Sequence, residues 1–474
     1  MRWILTALGL AAAGGAAAVY LLLVRVDAEA PVVLPESPMP GRLLVGFQDD
    51  ASFRWAEDRA TSLDRARDAH AAVIRTIVGW HDVAPERPAT PIDPFDPAYR
   101  LEEVDDLARN AQQRGIELLV TIWGTPEWAN GGEQPNRPPT DPADLQSFAQ
   151  ALAERYSGRH AGYPAVRLFS AWNEPNLEQF LAPQFDEAGR SVGPELYAPI
   201  ARAIYDGVKQ ANPDALVAVG ETSPRGRDLP SEGTVQDSHS PARFARLLAE
   251  QEPLIAFDAW AQHPYPPRSD VAPSEPVRWP RVGLPNLERF GDSLDAWFGR
   301  ADTPLWITEY GHETLPFEPL GVVPELQAQF AEEALALAAE NPRIRAFVWF
   351  VFRDTPGTPW QSGVLSEDGS PKPAFESFAV AAGDLDARNP VLPSDADFAR
   401  VPTLELAFST PAGDPIEVAI EGAPAASVPL GEDGWIEIPL ENRTDAVLEL
   451  QATNPHGQAI NRVVELRDFT IDLN

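Results

Sequence analysis

Residues 168–176 have the sequence LFSAWNEPN, and this stretch decides the fold that we predict for the chain. Its apolar first half is typical of a short buried β-strand, and its second half is typical of a turn. Glu174 lies where the strand meets the turn, partly in a low-dielectric environment, so its carboxyl group can hold a proton near neutral pH. A general acid needs this property. The stretch therefore predicts a strand that carries a candidate acid/base residue at its carboxyl end.

Similar apolar runs alternate with amphipathic stretches throughout residues 41–383. The runs are almost continuously apolar, as expected for strands that are buried on both faces. They begin at eight positions, namely Leu43, Ala72, Glu117, Val166, Ala215, Phe257, Pro304 and Ile344. Eight strand–helix units predict an α/β fold, a (β/α)8 TIM barrel with long loops. A doubly wound sheet is the structural alternative, but no glycine-rich phosphate loop follows the first run.

The pattern changes after the predicted barrel. Residues 384–398 are polar and contain proline, which is typical of a linker. Residues 399–474 alternate short apolar segments with Gly, Pro and Asn turns, and they predict a small antiparallel β-sandwich. This accessory domain could bind carbohydrate, but Trp435 is its single tryptophan. A packing or spacer role is therefore the favoured interpretation.

The N-terminal residues carry a targeting signal. Arg2 precedes an uncharged run over residues 3–24, which is long enough to span a bilayer as a hydrophobic helix. Residues 1–30 are predicted to be an uncleaved membrane anchor or a cleaved signal peptide, because residues 28–30 also offer a small-x-small cleavage site. A buried soluble helix is the third alternative. Residues 31–40 would be a proline-rich spacer, and the body of the protein would be extracytoplasmic, either secreted or anchored.

The amino-acid composition argues against several classes of binding partner and chemistry. The formal net charge is −34, which argues against nucleic acid and anionic membrane surfaces but is compatible with a neutral carbohydrate. The chain has no cysteine, so disulfides, thiolate zinc sites and cysteine nucleophiles are excluded. No cofactor or metal is expected, and the oligomeric state stays open.

Two glutamates at predicted strand ends are the best candidates for catalysis. Glu174 follows the fourth strand, and Glu309 lies in the segment WITEYG, residues 306–311, at the seventh. In a barrel, the carboxyl ends of the strands surround one cleft, so both side chains can face it. A pair of carboxyl groups across a sugar-sized gap is what cleavage of a glycosidic bond requires.

These motifs resemble those of a known group of enzymes. WNEPN at residues 172–176 and TEYG at residues 308–311 are similar to the strand 4 and strand 7 motifs of clan A glycoside hydrolases, closest to family 39-like and family 5-like members. These are retaining enzymes on (β/α)8 barrels. The resemblance implies that Glu174 is the acid/base, that Glu309 is the nucleophile and that Asn173 contacts the sugar 2-hydroxyl.

The resemblance extends to other predicted strand ends. Arg75 matches the strand 2 arginine that helps to keep the nucleophile ionised, and His263 with Tyr265 matches the strand 6 pair that positions the nucleophile and the sugar. Trp349 matches the strand 8 tryptophan that stacks under the sugar ring. The remaining substrate-binding candidates are Trp123 and Glu221.

Several of these residues keep a second interpretation. Arg75 could be a structural ion-pair partner as well, His263 a satisfied structural histidine and Trp349 a residue of the barrel core. Glu221 could contact substrate hydroxyls or simply pair with a nearby arginine. Trp360, in the loop after the eighth strand, is a weaker candidate for stacking on a sugar.

We therefore expect a retaining glycoside hydrolase that acts on β-linked glycosides or polysaccharides by double displacement. In that case the carboxyl groups of Glu174 and Glu309 should lie about 5 Å apart. One alternative is a transglycosylase that uses the same site with a sugar as the acceptor. The other is a surface carbohydrate-binding barrel without catalytic activity.

Overall fold

The computed structural model describes the barrel region and a set of strands outside it. The described residues are 23–26, 43–231, 236–316, 320–358, 360–388, 403–407, 416–420, 426–428, 435–439, 447–453 and 459–465. The chain divides into two compact units, one of which contains the barrel.

Eight parallel strands form a closed barrel. We number them β1 to β8 in chain order. They are β1 Leu44–Gln48, β2 Val73–Gly79, β3 Glu117–Trp123, β4 Leu168–Ala171, β5 Leu216–Thr222, β6 Ala259–Gln262, β7 Leu305–Tyr310 and β8 Ile344–Phe350. Each strand pairs with the next in sequence, and β8 pairs with β1. The predicted barrel is confirmed, and the doubly wound alternative is excluded.

One principal helix follows each strand. These helices are α1 Arg59–Asp68, α2 Glu102–Gln112, α3 Pro142–Arg155, α4 Gly193–Ala211, α5 Pro241–Ala249, α6 Leu287–Phe298, α7 Pro324–Glu340 and α8 Pro373–Arg388. The N-terminal end of helix α3 shows how the sequence determines where a helix begins. The Asp141 side chain accepts a hydrogen bond from the backbone N–H of Ala143, and Pro142 occupies the first turn, where no amide hydrogen is needed.

Apolar side chains from every strand fill the barrel interior. The buried cluster consists of Leu44, Val73, Leu119, Leu168, Ala218, Ala259, Ala261, Trp306, Ala346 and Val348. Because side chains alternate across a regular strand, these positions indicate which later residues point inward in the strands without a register shift. Arg75 shares the parity of Val73, and Thr121 shares that of Leu119. Polar groups therefore lie above the apolar core, towards the carboxyl ends of the strands.

Antiparallel strands lie outside the barrel, most of them within residues 399–474. One sheet pairs Leu23–Val26 with Thr403–Ala407, which in turn pairs with Trp435–Pro439. A second sheet has the order Ala426–Val428, Ile416–Ile420, Val447–Thr453 and Ala459–Glu465. The packing of these sheets as a sandwich, and the boundaries of the linker and the accessory domain, stay predictions.

The N-terminal hydrophobic helix is not confirmed. Residues 1–22 lie outside the described residues, and so does the spacer at 31–40. Leu23 and Val24, the last two residues of the apolar run, belong to a β-strand. Among the residues that the structure describes, no helix is long and apolar enough to cross a bilayer.

Candidate active site

The candidate catalytic groups converge at the carboxyl ends of the barrel strands. Glu309 is the fifth residue of β7, and Glu174 lies three residues beyond β4. One carboxylate oxygen of Glu174, one ring nitrogen of His263 and one carboxylate oxygen of Glu309 all lie within 4.8 Å of one another. The two carboxylates predicted from separate motifs therefore face each other directly.

Glu309 is held from two sides. Nη1 of Arg75 donates to its Oε1 at 2.7 Å, and the hydroxyl of Tyr265 donates to its Oε2 at 3.0 Å. Burial and the nearby carboxylate of Glu309 raise the pKa of Tyr265 well above its usual value of 10, so the phenol stays a hydrogen-bond donor. Both oxygens of Glu309 are thus oriented while its side chain keeps a little exposure to solvent.

Glu174 contacts His263. Nδ1 of the imidazole lies 3.1 Å from Oε1 of Glu174, and it lies 3.5 Å from Oε2 of Glu309. Burial disfavours the charged form of His263, but the carboxylates of Glu309, Glu174 and Glu221 outweigh this effect and raise its pKa to about 9. At neutral pH the ring is therefore an imidazolium that donates towards Glu174.

Arg75 is hydrogen-bonded to most of the polar side chains of the site. Its guanidinium donates to five side chains, namely Gln48, Thr121, Asn173, Glu221 and Glu309. The bond to Oδ1 of Asn173 is 2.9 Å long and fixes the amide plane, with the amide nitrogen directed away from the arginine. The planar fork of arginine suits this role because it can satisfy several acceptors at fixed angles.

A local irregularity of β5 brings Glu221 into the cluster. Simple alternation from the interior residue Ala218 would place Gly220 inward and Glu221 outward. The register between β5 and β6 shifts at this point, and both Gly220 and Glu221 have positive φ angles, 96° and 46°. A Cβ at Gly220 would lie 2.4 Å from the Trp260 ring, so only glycine fits there.

Strained backbone also marks the end of β4. Trp172 and Glu174 have φ angles of 71° and 39°, which side-chain-bearing residues rarely adopt. Hydrogen bonds hold this conformation, from Trp172 N–H to the Ile122 carbonyl at 2.8 Å and from Glu174 N–H to the Glu221 carbonyl at 3.0 Å. Such strain concentrates at functional sites, where the surrounding structure maintains it.

Three expected substrate contacts need correction. Arg75, His263 and Glu221 are each 0% exposed, so none of them can contact a sugar. Burial of Glu221 opposes its ionisation, but Arg75 and His263 outweigh burial and lower its pKa. Of the two interpretations of Glu221, the structure shows the pairing with an arginine. These three residues contact Glu174, Glu309, Asn173 and one another instead.

Trp349 also lies behind the site. The interior residues Ala346 and Val348 place Phe350 inward, so Trp349 points away from the barrel interior. It is 0% exposed, and its indole N–H donates to the Ser362 carbonyl at 2.8 Å. The expectation that Trp349 forms the floor under the sugar was wrong, and the partly exposed Phe350 occupies the inward position.

Partly exposed aromatic rings lie near the carboxylate pair. The Trp360 ring lies 5.5 Å from the ring of Tyr265, which contacts Glu309, and 5.8 Å from the Phe350 ring, measured between centroids. Trp123 packs edge-on against His81 at 5.1 Å and lies 6.3 Å from the ring of Trp172, two residues before Glu174. Apolar ring faces beside polar groups are suited to the C–H faces of sugars. Trp123 and Tyr265 are both partly exposed, and their contact with a substrate stays a prediction.

Two polar residues of the cluster were not predicted from the sequence. Gln48 ends β1 and accepts from Nη1 of Arg75, and Thr121 accepts from Nε of Arg75 at 2.8 Å. Both are buried. Strand alternation could have identified Thr121, because it lies two residues from Leu119 and from Trp123 on the same face.

The same groups are poorly suited to a metal ion. Glu174, His263 and Glu309 are donors of the right types, and their ligand atoms are close together. A histidine must be neutral to bind a metal, however, and His263 has a pKa of about 9. Both oxygens of Glu309 already accept hydrogen bonds, from Arg75 and from Tyr265.

Comparisons with known proteins agree with this geometry. The family model "Cellulase (glycosyl hydrolase family 5)" matches residues 44–350, more than half of the chain. No curated protein sequence matches the chain.

Solved structures with the same fold include three glycoside hydrolases. A family 39 glycoside hydrolase from the gut symbiont Bacteroides cellulosilyticus WH2 has a TM-score of 0.52 and 19% identity, covering 89% of this chain and 86% of its own. A glucosidase from Croceicoccus marinus has a TM-score of 0.53 and 16% identity, covering 93% and 83%. A GH5_18 enzyme from Streptomyces cattleya in complex with GlcNAc has a TM-score of 0.51 and 17% identity, covering 74% and 82%.

At such low sequence identities, the similarity to solved structures shows only that the chain has the same fold. The match to the family model shows that the chain belongs to the family. The predicted resemblance to clan A is confirmed. The chain belongs to glycosyl hydrolase family 5 and is a glycosidase built on the (β/α)8 barrel of clan A.

Proposed function

We propose that the protein is a retaining glycosidase that works by double displacement, with Glu309 as nucleophile and Glu174 as acid/base. The observation that carries this proposal is the short gap between the two carboxylates, whose nearest oxygens lie within 4.8 Å. A separation of about 5 Å is typical of retaining enzymes, whereas inverting enzymes need about 6.5–9.5 Å to admit a water molecule.

In the first half-reaction, a carboxylate oxygen of Glu309 attacks the anomeric carbon while Glu174 gives its proton to the leaving oxygen. The hydrogen bonds from Arg75 and Tyr265 support this assignment, because they aim Glu309 and reduce its freedom to rotate. We assign to Asn173 a hydrogen bond from its amide nitrogen to the sugar, and the bond from Arg75 to its Oδ1 supports this role because it leaves that nitrogen free to donate.

In the second half-reaction, Glu174 removes a proton from a water molecule, which attacks the anomeric carbon and releases Glu309. The sugar thereby leaves with its original configuration after two inversions. His263 supports the change of role of Glu174, since its imidazolium lies beside the carboxylate that forms when the proton has been given away.

The substrate class that we propose is a β-linked glycoside or polysaccharide. The description of the matching family as cellulase supports a β-linkage. The partly exposed rings of Trp123, Tyr265 and Trp360 support a substrate with apolar sugar faces. The uncharged run at residues 3–24 supports an extracytoplasmic location, secreted or anchored by that segment.

Azide rescue tests the roles of both glutamates. With an activated β-glycoside that the enzyme cleaves, Glu174→Ala with azide should form the β-glycosyl azide, because azide replaces water in the second step. Glu309→Ala with azide should form the α-glycosyl azide by direct displacement. Glu127→Ala, which removes an exposed carboxylate in the loop after β3, is the matched control and should keep wild-type turnover. Identical azide anomers from both variants would refute the assignment.

A further inference from the structure

Glu221 is a third carboxylate in the active-site cluster, and it has no access to substrate. Its side chain is fully buried, and it lies on β5 between the strands that carry Glu174 and His263. An ionised carboxylate at such a position is costly unless cations neutralise it.

Two cations face the same oxygen of Glu221. Nη2 of Arg75 donates to Oε2 at 2.5 Å, and Nε2 of His263 lies 3.7 Å from that oxygen. The opposite ends of these cations reach the catalytic pair. Arg75 donates to Glu309 through Nη1, and His263 lies against Glu174 through Nδ1. Glu221 therefore stands at the centre of a chain of contacts that runs from Glu309 to Glu174.

The charges of this cluster explain why one cation is not enough to neutralise the buried carboxylates. Three carboxylates face His263, namely Glu174 from the turn after β4, Glu221 from β5 and Glu309 from β7. Arg75 and the neutral phenol of Tyr265 also lie beside them. Arg75 compensates Glu309, so an ionised Glu221 requires a second positive charge, and His263 is placed to supply it.

We propose that Glu221 is a positioning residue that holds His263 as an imidazolium and, through it and Arg75, sets the orientation and electrostatics of both catalytic carboxylates. Its effect on catalysis rests on the function proposed above. As Glu174 transfers its proton to the leaving oxygen, negative charge develops on its carboxylate, and the imidazolium stabilises that charge. Glu221 thereby makes Glu174 a better proton donor without contacting the substrate.

A titration of the histidine side chains tests this directly. Nitrogen-15 NMR follows each of the seven histidines of the full chain, and His263→Gln assigns the signal of interest. In the wild type, the signal of His263 should titrate near pH 9. In Glu221→Gln its midpoint should fall by at least about one pH unit, because the Coulombic contribution of a buried carboxylate is lost. In Glu221→Asp the midpoint should lie between those two.

Internal and matched controls separate this effect from a general disturbance. His239 and His312, whose pKa values burial lowers to about 4, should be unchanged in all variants. Asp105→Asn neutralises another buried carboxylate that pairs with an arginine, Arg155, and should leave His263 unchanged. An identical midpoint in the wild type and Glu221→Gln would overturn the proposal. If Glu221→Gln does not fold, an unchanged midpoint in Glu221→Asp would overturn it.

Leaving-group dependence tests the catalytic consequence. Dinitrophenolate leaves without protonation, whereas phenolate needs the proton of Glu174. Glu221→Gln should therefore lose more kcat/KM on phenyl glycosides than on dinitrophenyl glycosides. Equal losses would overturn the link to proton donation. A wild-type protein without turnover on any glycoside would refute the proposed function instead, while the NMR titration would still test the role of Glu221.

Discussion

Nη1 of Arg75 lies 2.7 Å from Oε1 of Glu309, although the two residues are 234 positions apart in the chain. The barrel brings them together, because β2 and β7 both end at the same face. Arg75 is fully buried and Glu309 nearly so, which makes the attraction between them stronger than at a solvated surface. A fixed positive charge thus orients the proposed nucleophile.

Arg75→Lys keeps this charge but loses the planar fork that reaches five acceptors. We expect kcat/KM to fall about 100-fold, since a small displacement of a catalytic group can cost that much. The free energy of unfolding should fall by about 3 kcal/mol, because the buried carboxylates lose partners. Steady-state kinetics and urea unfolding measure both effects. Arg155→Lys, which disturbs the ion pair with Asp105, should lower stability but leave kcat/KM unchanged, and wild-type activity in Arg75→Lys would contradict the prediction.

Tyr265→Phe removes a single hydroxyl, the one that donates to Oε2 of Glu309 at 3.0 Å. Hydrogen bonds to charged groups contribute about 1.5–3 kcal/mol, so kcat/KM should fall about 10- to 100-fold with little change in stability. Tyr99→Phe is the matched control, since its hydroxyl donates to the Pro91 carbonyl and touches neither catalytic glutamate. Equal kinetic effects in the two variants would show that Tyr265 does not orient Glu309.

The raised pKa of His263 predicts how stability depends on pH. The folded protein binds the proton more tightly than the unfolded chain, so the stabilisation is fully present below pH 6.5 and is lost as pH rises through about 9. The rise from 6.5 to about 9 corresponds to on the order of 3 kcal/mol. Urea unfolding over this pH range measures the loss, and His263→Gln should abolish this component. A stability of the wild type that stays constant or increases across this window would contradict the assignment.

Trp360 is 41% exposed and packs beside Tyr265 and Phe350, so we expect it to stack on a bound sugar. Trp360→Ala should raise KM about 2- to 10-fold, because an aromatic contact contributes about 0.5–1.5 kcal/mol. Its kcat and the free energy of unfolding should change little. Trp55→Ala removes another exposed tryptophan, which lies beside the Arg54 guanidinium, and it should leave KM unchanged. A wild-type KM in Trp360→Ala would place the sugar elsewhere.

The sequence predicted the barrel, and it placed the two candidate carboxylates at strand ends, for physical reasons. Strands buried on both faces must be apolar runs, and the turns that follow them need polar residues, so the alternation is visible without a structure. Glu174 and Glu309 stand out because each interrupts such a pattern at a strand end. Their proximity follows from closure of the barrel rather than from their spacing in sequence.

The side-chain directions of other residues could not be predicted in the same way. Trp349 and Phe350 are neighbours, and the register of β8 decides which ring points inward. Glu221 points into the cluster because of positive φ angles at Gly220 and at Glu221 itself, a local distortion that alternation does not encode. The burial of Arg75 likewise depends on acceptors from four other strands and from Asn173.

Covalent trapping tests the central claim most directly. A fluorinated-sugar analogue with a good leaving group forms the glycosyl-enzyme but slows its hydrolysis, so the intermediate accumulates and mass spectrometry of peptides locates the sugar. We predict one sugar per chain on Glu309. Glu174→Gln should still acquire this label, because the good leaving group needs no proton. Glu309→Gln should not acquire it. A sugar on Glu174 or another residue would contradict the account. So would turnover of the analogue with inversion and without a covalent intermediate.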